Sequence, residues 1–146
     1  MTSFEEFKTV ISGRENAHLN EDYWEIIDAC WKQLIESFPK TYQSLKPIFK
    51  KIDKREFENS YDLIYGPVQS GKSRAIMMIM WYSIFMKTGI VPTVLTIKLS
   101  SVRIDFMSKM SRHGELNSIV ESVILDKFAK YKHLIQLFHI IILTLT

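Results

Sequence analysis

One cysteine, Cys30, is present in 146 residues, and a lone thiol cannot close an internal disulfide. The start "MTSFEEFK" has acids where a secretory signal would carry a basic end and an apolar stretch. A reducing, intracellular setting is therefore the expectation. Histidine is nearly as sparse: His18, His113, His133 and His139 have no metal-ligand spacing and no cysteine cluster near them. A long apolar run is missing too. The most apolar stretch, "LIQLFHIIILTLT", spans residues 134–146, about 13 residues against the roughly 20 of a membrane-crossing helix. No membrane partner is expected. No internal repeat or low-complexity tract is present either.

What the chain does have is core-forming material. Apolar residues make up 47% and aromatics 12%, enough for one ordinary globular domain. Charge is unevenly spread. Residues 1–39 carry three Lys/Arg against eight Asp/Glu, whereas residues 40–55 carry six against one. The basic group is Lys40, Lys46, Lys50, Lys51, Lys54 and Arg55, interleaved with Tyr42 and Phe49. Such a segment suits nucleic-acid phosphates, and it equally suits a solvated helix face paired with the acidic neighbour.

The first sixty residues read as helical. Ser3 and Glu6 fit a capping box, with Gly13 as a stop. Trp24, Ile27, Trp31, Leu34, Ile35 and Phe38 recur three or four apart, and Pro39 closes that helix. Pro47 is expected to interrupt any helix after Lys40. From Tyr61 the texture changes. "YDLIY" reads as a strand ending at Gly66, Ser73 to about Lys87 as a helix apolar almost all round, and "TVLTIKL" as a second strand. Ser100 or Ser101 can cap a further helix, and Leu116, Ile119, Val120, Val123, Ile124 and Phe128 define the next. "HIIILTLT", with three isoleucines and alternating Leu/Thr, reads as a third, buried strand. The expected fold is α/β: a partial P-loop NTPase-type parallel sheet of about three strands with an N-terminal helical extension. The expected division is residues 1–59 for the extension and 60–146 for the nucleotide-binding domain, the latter incomplete if the chain is a truncated form.

The chemistry lies in "LIYGPVQSGKSRAI". Gly66, Gly71, Lys72 and Ser73 match G-x-x-x-x-G-K-[ST], the phosphate-cradling loop. Glycines at both ends let the backbone curl, so that N–H groups from about Val68 to Ser73 point into one concavity. A helix beginning near Lys72 adds its positive end. Lys72 would reach the β- and γ-phosphates, and the Ser73 hydroxyl would ligate magnesium. Pro67 restricts the loop entry, Val68 packs beneath it, and Gln69 and Ser70 form the crest. Arg74, next in line, completes the candidate nucleotide-contacting set. The cofactors implied are ATP or another nucleoside triphosphate and Mg2+.

A second acid to hold magnesium or orient water is not found. Asp126 in "SVILDKF" falls in a helical register and reads as solvated, and Asp105 lies in a helix where no magnesium ligand is expected. Arg103 and Arg112 read as surface residues. Trp24, Trp31 and Trp81, with the methionines at 77, 78, 80 and 86, read as core. No catalytic residue is assigned.

"GPVQSGKS", its helix and "TVLTIKLSSVRIDF" resemble the first motifs of viral and phage superfamily 2 helicase-like ATPases, over about Tyr61 to Met110. The resemblance implies a nucleic-acid-dependent ATPase lobe, a hydrolase acting on DNA or RNA. Residues near Thr96, Lys98, Ser100 and Ser101 would touch the nucleic-acid backbone. A second lobe or subunit would supply the catalytic acid and arginine finger. A viral member would work in the host cytoplasm or a virus factory. "LIYGPVQSGKS" and the later "TIK" also look like type II thymidine kinases, although those enzymes begin near the loop and carry an acidic segment and a zinc site that this chain lacks. A non-catalytic ATP-binding interaction module is the third reading.

Overall fold

The computed structural model describes residues 21–54, 72–87 and 114–145. Helix α1, Glu21–Ser37, buries Trp24, Ile27, Cys30, Trp31 and Leu34 and leaves Glu25, Asp28, Lys32 and Glu36 in solvent. That division follows from apolar residues recurring at helical spacing. Pro39 disfavours helical dihedrals in the residue before it, and Phe38 accordingly sits at φ −132°, ψ 60°. Phe38 still closes one helix and opens the next: its N–H donates to the Leu34 carbonyl at 2.9 Å, and its carbonyl accepts from Tyr42 N–H at 3.0 Å.

Helix α2, Pro39–Asp53, runs through Pro47, where the sequence reading placed an interruption. An internal proline costs about 3 kcal/mol and removes one backbone bond. Leu45, Phe49 and Ile52 are all buried on the opposite side, each contributing roughly 1.5–3 kcal/mol. Three anchors outweigh one lost bond. Pro47 itself is exposed, so the carbonyl it leaves free faces water.

Helix α3, Lys72–Trp81, widens into a π-helical segment, Tyr82–Lys87. Met77, Met78, Met80, Trp81, Tyr82, Ile84 and Phe85 are buried on successive sides, in keeping with a helix apolar almost all round. Gly114 precedes α4, Glu115–Lys127, which buries Leu116, Asn117, Val120, Val123 and Ile124. A short 3-10 turn, Ala129–Tyr131, leads to α5, Leu134–Leu145.

Helix α5 overturns the third strand expected at "HIIILTLT". Leu134, Leu137 and Phe138 are buried at i, i+3 and i+4 while Gln136 is exposed, so the helical register is set upstream of the isoleucines. The β preference of isoleucine is a weak prior that packing overrides. The expected α/β parallel sheet is corrected with it: the described residues are helical and contain no strand. The strands expected at 61–65 and 93–99, the helix at 3–13 and the cap at Ser100 or Ser101 lie outside the described residues.

Two aromatic clusters sit within one hydrophobic core. Trp31 of α1 meets Phe49 of α2 edge-on at 5.4 Å and Tyr82 of the π segment at 5.3 Å, and Phe49 lies 4.6 Å from Tyr82. Trp81, Phe85 and Phe138 form the second, with Trp81 and Phe85 at 4.5 Å and Phe138 about 6 Å from each. The first joins α1 and α2 to the end of α3; the second joins α3 to α5. Helix α1 also packs on α4, and α4 on α5. Among the described residues no helix is long and apolar enough to cross a membrane.

Candidate nucleotide-binding site

Of the residues assigned to the phosphate loop, Gly66, Pro67, Val68, Gln69, Ser70 and Gly71 lie outside the described residues. Lys72 and Ser73 are the first two residues of α3. Backbone N–H groups in the first turn of a helix have no intrahelical partner, and the helix dipole gives that end partial positive charge. The first turn of α3 contains no acid to neutralise it.

Arg74 is held by contacts from two other helices. Its guanidinium lies 4.7 Å over the Phe38 ring at the α1–α2 junction, and its Nη2 donates to Glu115 Oε1 of α4 at 3.4 Å. Both side chains of the pair are more than a third exposed, so solvent screens it and its contribution is at most about 1 kcal/mol. Glu115 is itself favoured where it sits, a carboxylate in the first turn of α4. Its other oxygen, Oε2, is shielded from solvent and has no hydrogen-bond partner among the described residues. The head of α3 and the head of α4 therefore meet through an arginine and a carboxylate with one acceptor unused.

Sequence reading missed Glu115. It lies 41 residues from Arg74, and nothing in local spacing relates the two. Asp126 stands exposed on α4, the solvated placement expected of it. Asp105, Arg103, Arg112, Thr96, Lys98, Ser100 and Ser101 lie outside the described residues. Trp24, Trp31 and Trp81 are buried, as are Met77, Met78 and Met80, in the core roles expected of them. Among the described residues no three His, Cys, Asp or Glu side chains gather to hold a metal.

Below α3, the Tyr82 hydroxyl donates to Asp53 Oδ1 at 2.5 Å, fastening the end of α2 to the π segment. Burial and this carboxylate push the Tyr82 hydroxyl well above its ordinary pKa, burial being the larger cause. Burial likewise pushes the Cys30 thiol up to about 12, which leaves it unreactive at neutral pH.

The described residues are helical, and the phosphate-loop sequence runs into the head of one buried helix. No protein-family model, curated protein or solved structure matches the chain.

Proposed function

We propose that residues Gly66 to Ser73 grip the β- and γ-phosphates of a magnesium-bound nucleoside triphosphate. The observation that carries this is the start of α3 at Lys72: the motif's last two residues open a helix whose first turn lacks any acid. Lys72 would neutralise phosphate charge and the Ser73 hydroxyl would hold magnesium, the jobs the motif gives them. Magnesium bound there would draw the phosphate charges together; the chain's own residues orient and hold them.

The proposal is nucleotide binding. The helicase-like resemblance rests on motifs within residues 61–110, and the described residues are helical and contain no parallel sheet on which to build the rest of that mechanism. The test is titration of a fluorescent ATP analogue, with and without magnesium, against the parent chain and Lys72→Ala. Loss of a charge-assisted contact worth about 1.5–3 kcal/mol should weaken binding roughly tenfold to a hundredfold. Equal affinity in the two proteins would remove the assignment.

A further inference from the structure

Helix α2 carries four lysines and its C-cap a fifth, and the structure turns what the sequence shows as a charge run into a face. Lys46, Lys50 and Lys54 follow one another at i, i+4 spacing from α2 into its C-terminal cap, one row with a rise of about 6 Å per step. Lys40 and Lys51 lie about three turns apart and so share an angular position beside that row. Lys40, Lys46, Lys50 and Lys54 are exposed, and Lys51 is half-buried. Between them stand Gln43, Ser44 and Pro47, all exposed and none acidic. The one acid of α2, Asp53, is at the rim and accepts the Tyr82 hydroxyl.

Pairing with the acidic neighbour, the alternative for this segment, does not account for the face. Lys40, Lys46, Lys50 and Lys54 make no ion pair with the described residues, and Glu25 and Glu36 of α1 are exposed. These four charges therefore stand together, over about 21 Å of helix, with no carboxylate of the described residues paired to them; Lys46 alone has a ring contact, 5.5 Å over Tyr42.

We infer that this lysine face docks the phosphodiester backbone of a nucleic acid. Duplex DNA offers one negative charge per about 1.7 Å of axis, so a face about 21 Å long meets a continuous line of partners and releases their counterions. The contact is to backbone rather than to bases. Phe49 is buried, and Tyr42 lies 5.8 Å from it and 6.1 Å from Trp31, so the aromatics interleaved with the lysines are committed to the core and not available for base stacking. Recognition without base contacts is indifferent to sequence and steep in salt. An anionic membrane is the less suited occupant, because the apolar side of α2, Leu45, Phe49 and Ile52, is already buried in the core and cannot enter a bilayer.

The inference stands apart from nucleotide binding and is tested without nucleotide. Anisotropy of labelled single-stranded and duplex oligonucleotides is measured from about 50 to about 200 mM salt. Lys46→Glu, Lys50→Glu and Lys54→Glu are combined in one variant; Lys127→Glu, Lys130→Glu and Lys132→Glu, all at exposed positions elsewhere, make a control of equal net charge. The α2 variant should bind at least tenfold more weakly at low salt, with a salt slope shallower by about two to three, and the control should stay near the parent. The corresponding Lys→Gln triple should fall between parent and reversal, and circular dichroism shows whether each variant keeps its helices. Equal losses in both triples, no binding by the parent, or binding to anionic vesicles without binding to either oligonucleotide would each overturn the assignment. Failure of Lys72→Ala to affect nucleotide binding would leave it untouched.

Discussion

The Tyr82 hydroxyl and the Asp53 carboxylate meet at 2.5 Å, tying the last turn of α2 to the place where α3 widens into a π-helix. Tyr82 is 8% exposed and its ring lies among Trp31 and Phe49, so the phenol is fixed by packing before its hydroxyl donates. The bond is charge-assisted and its donor is sheltered from water.

Tyr82→Phe keeps the ring and deletes the bond. It should cost about 1.5–3 kcal/mol, read as a lowered urea midpoint with an unchanged slope. A pH signature accompanies it. The folded state raises the Tyr82 pKa, so the protonated form binds its proton more tightly folded than unfolded. Its stabilisation is complete below about pH 10, the unfolded value, and is lost as pH rises beyond it. Cys30 has the same sign, its contribution falling between pH 9.0 and about 12. Tyr82→Phe should therefore show a weaker alkaline loss of stability than the parent; identical alkaline limbs would contradict the account.

Pro47→Ala should stabilise the chain. Pro47 is exposed inside α2 and lacks the N–H that would meet the carbonyl four residues before it. Alanine restores that bond and removes the ring clash, for a gain of about 1–3 kcal/mol in the denaturant midpoint. A fall in stability would mean that the proline ring packs on something that outweighs its cost.

Phe138→Ala and Gln136→Ala discriminate helix from strand in the last segment. In α5, Leu134, Leu137 and Phe138 are buried at i, i+3 and i+4 while Gln136 is exposed, whereas a strand buried on both faces would bury Gln136 as well. Phe138→Ala should cost about 3–5 kcal/mol, Leu137→Ala about 2–5, and Gln136→Ala less than about 0.5. Chemical denaturation of the three measures it, and a cost at Gln136 comparable to those at Leu137 and Phe138 would restore the buried strand.

Helices were legible where a face was cleanly divided. Trp24, Ile27, Trp31 and Leu34 announced α1, and Leu116, Val120, Val123 and Ile124 announced α4, because apolar spacing of three and four has one geometric reading. "HIIILTLT" misled because its isoleucines carry local preference but no phase; the phase came from Leu134 and Leu137, just upstream. Pro47 misled for the opposite reason. A local breaker was outweighed by burial of Leu45, Phe49 and Ile52, which a window of neighbours does not weigh. At the head of α3 the motif marks Lys72 and Ser73 as candidates, whereas the contact between Arg74 and Glu115 was not legible, since only tertiary packing brings the two together.

Cys30 has no exposed surface and is the chain's one thiol. The protein thus contains a built-in clock for its own opening. A disulfide reagent can consume that sulfur only when α1 leaves the core, so its labelling rate at rising denaturant separates rare global opening from fraying at helix ends. No label need be engineered to follow how tightly the core holds α1.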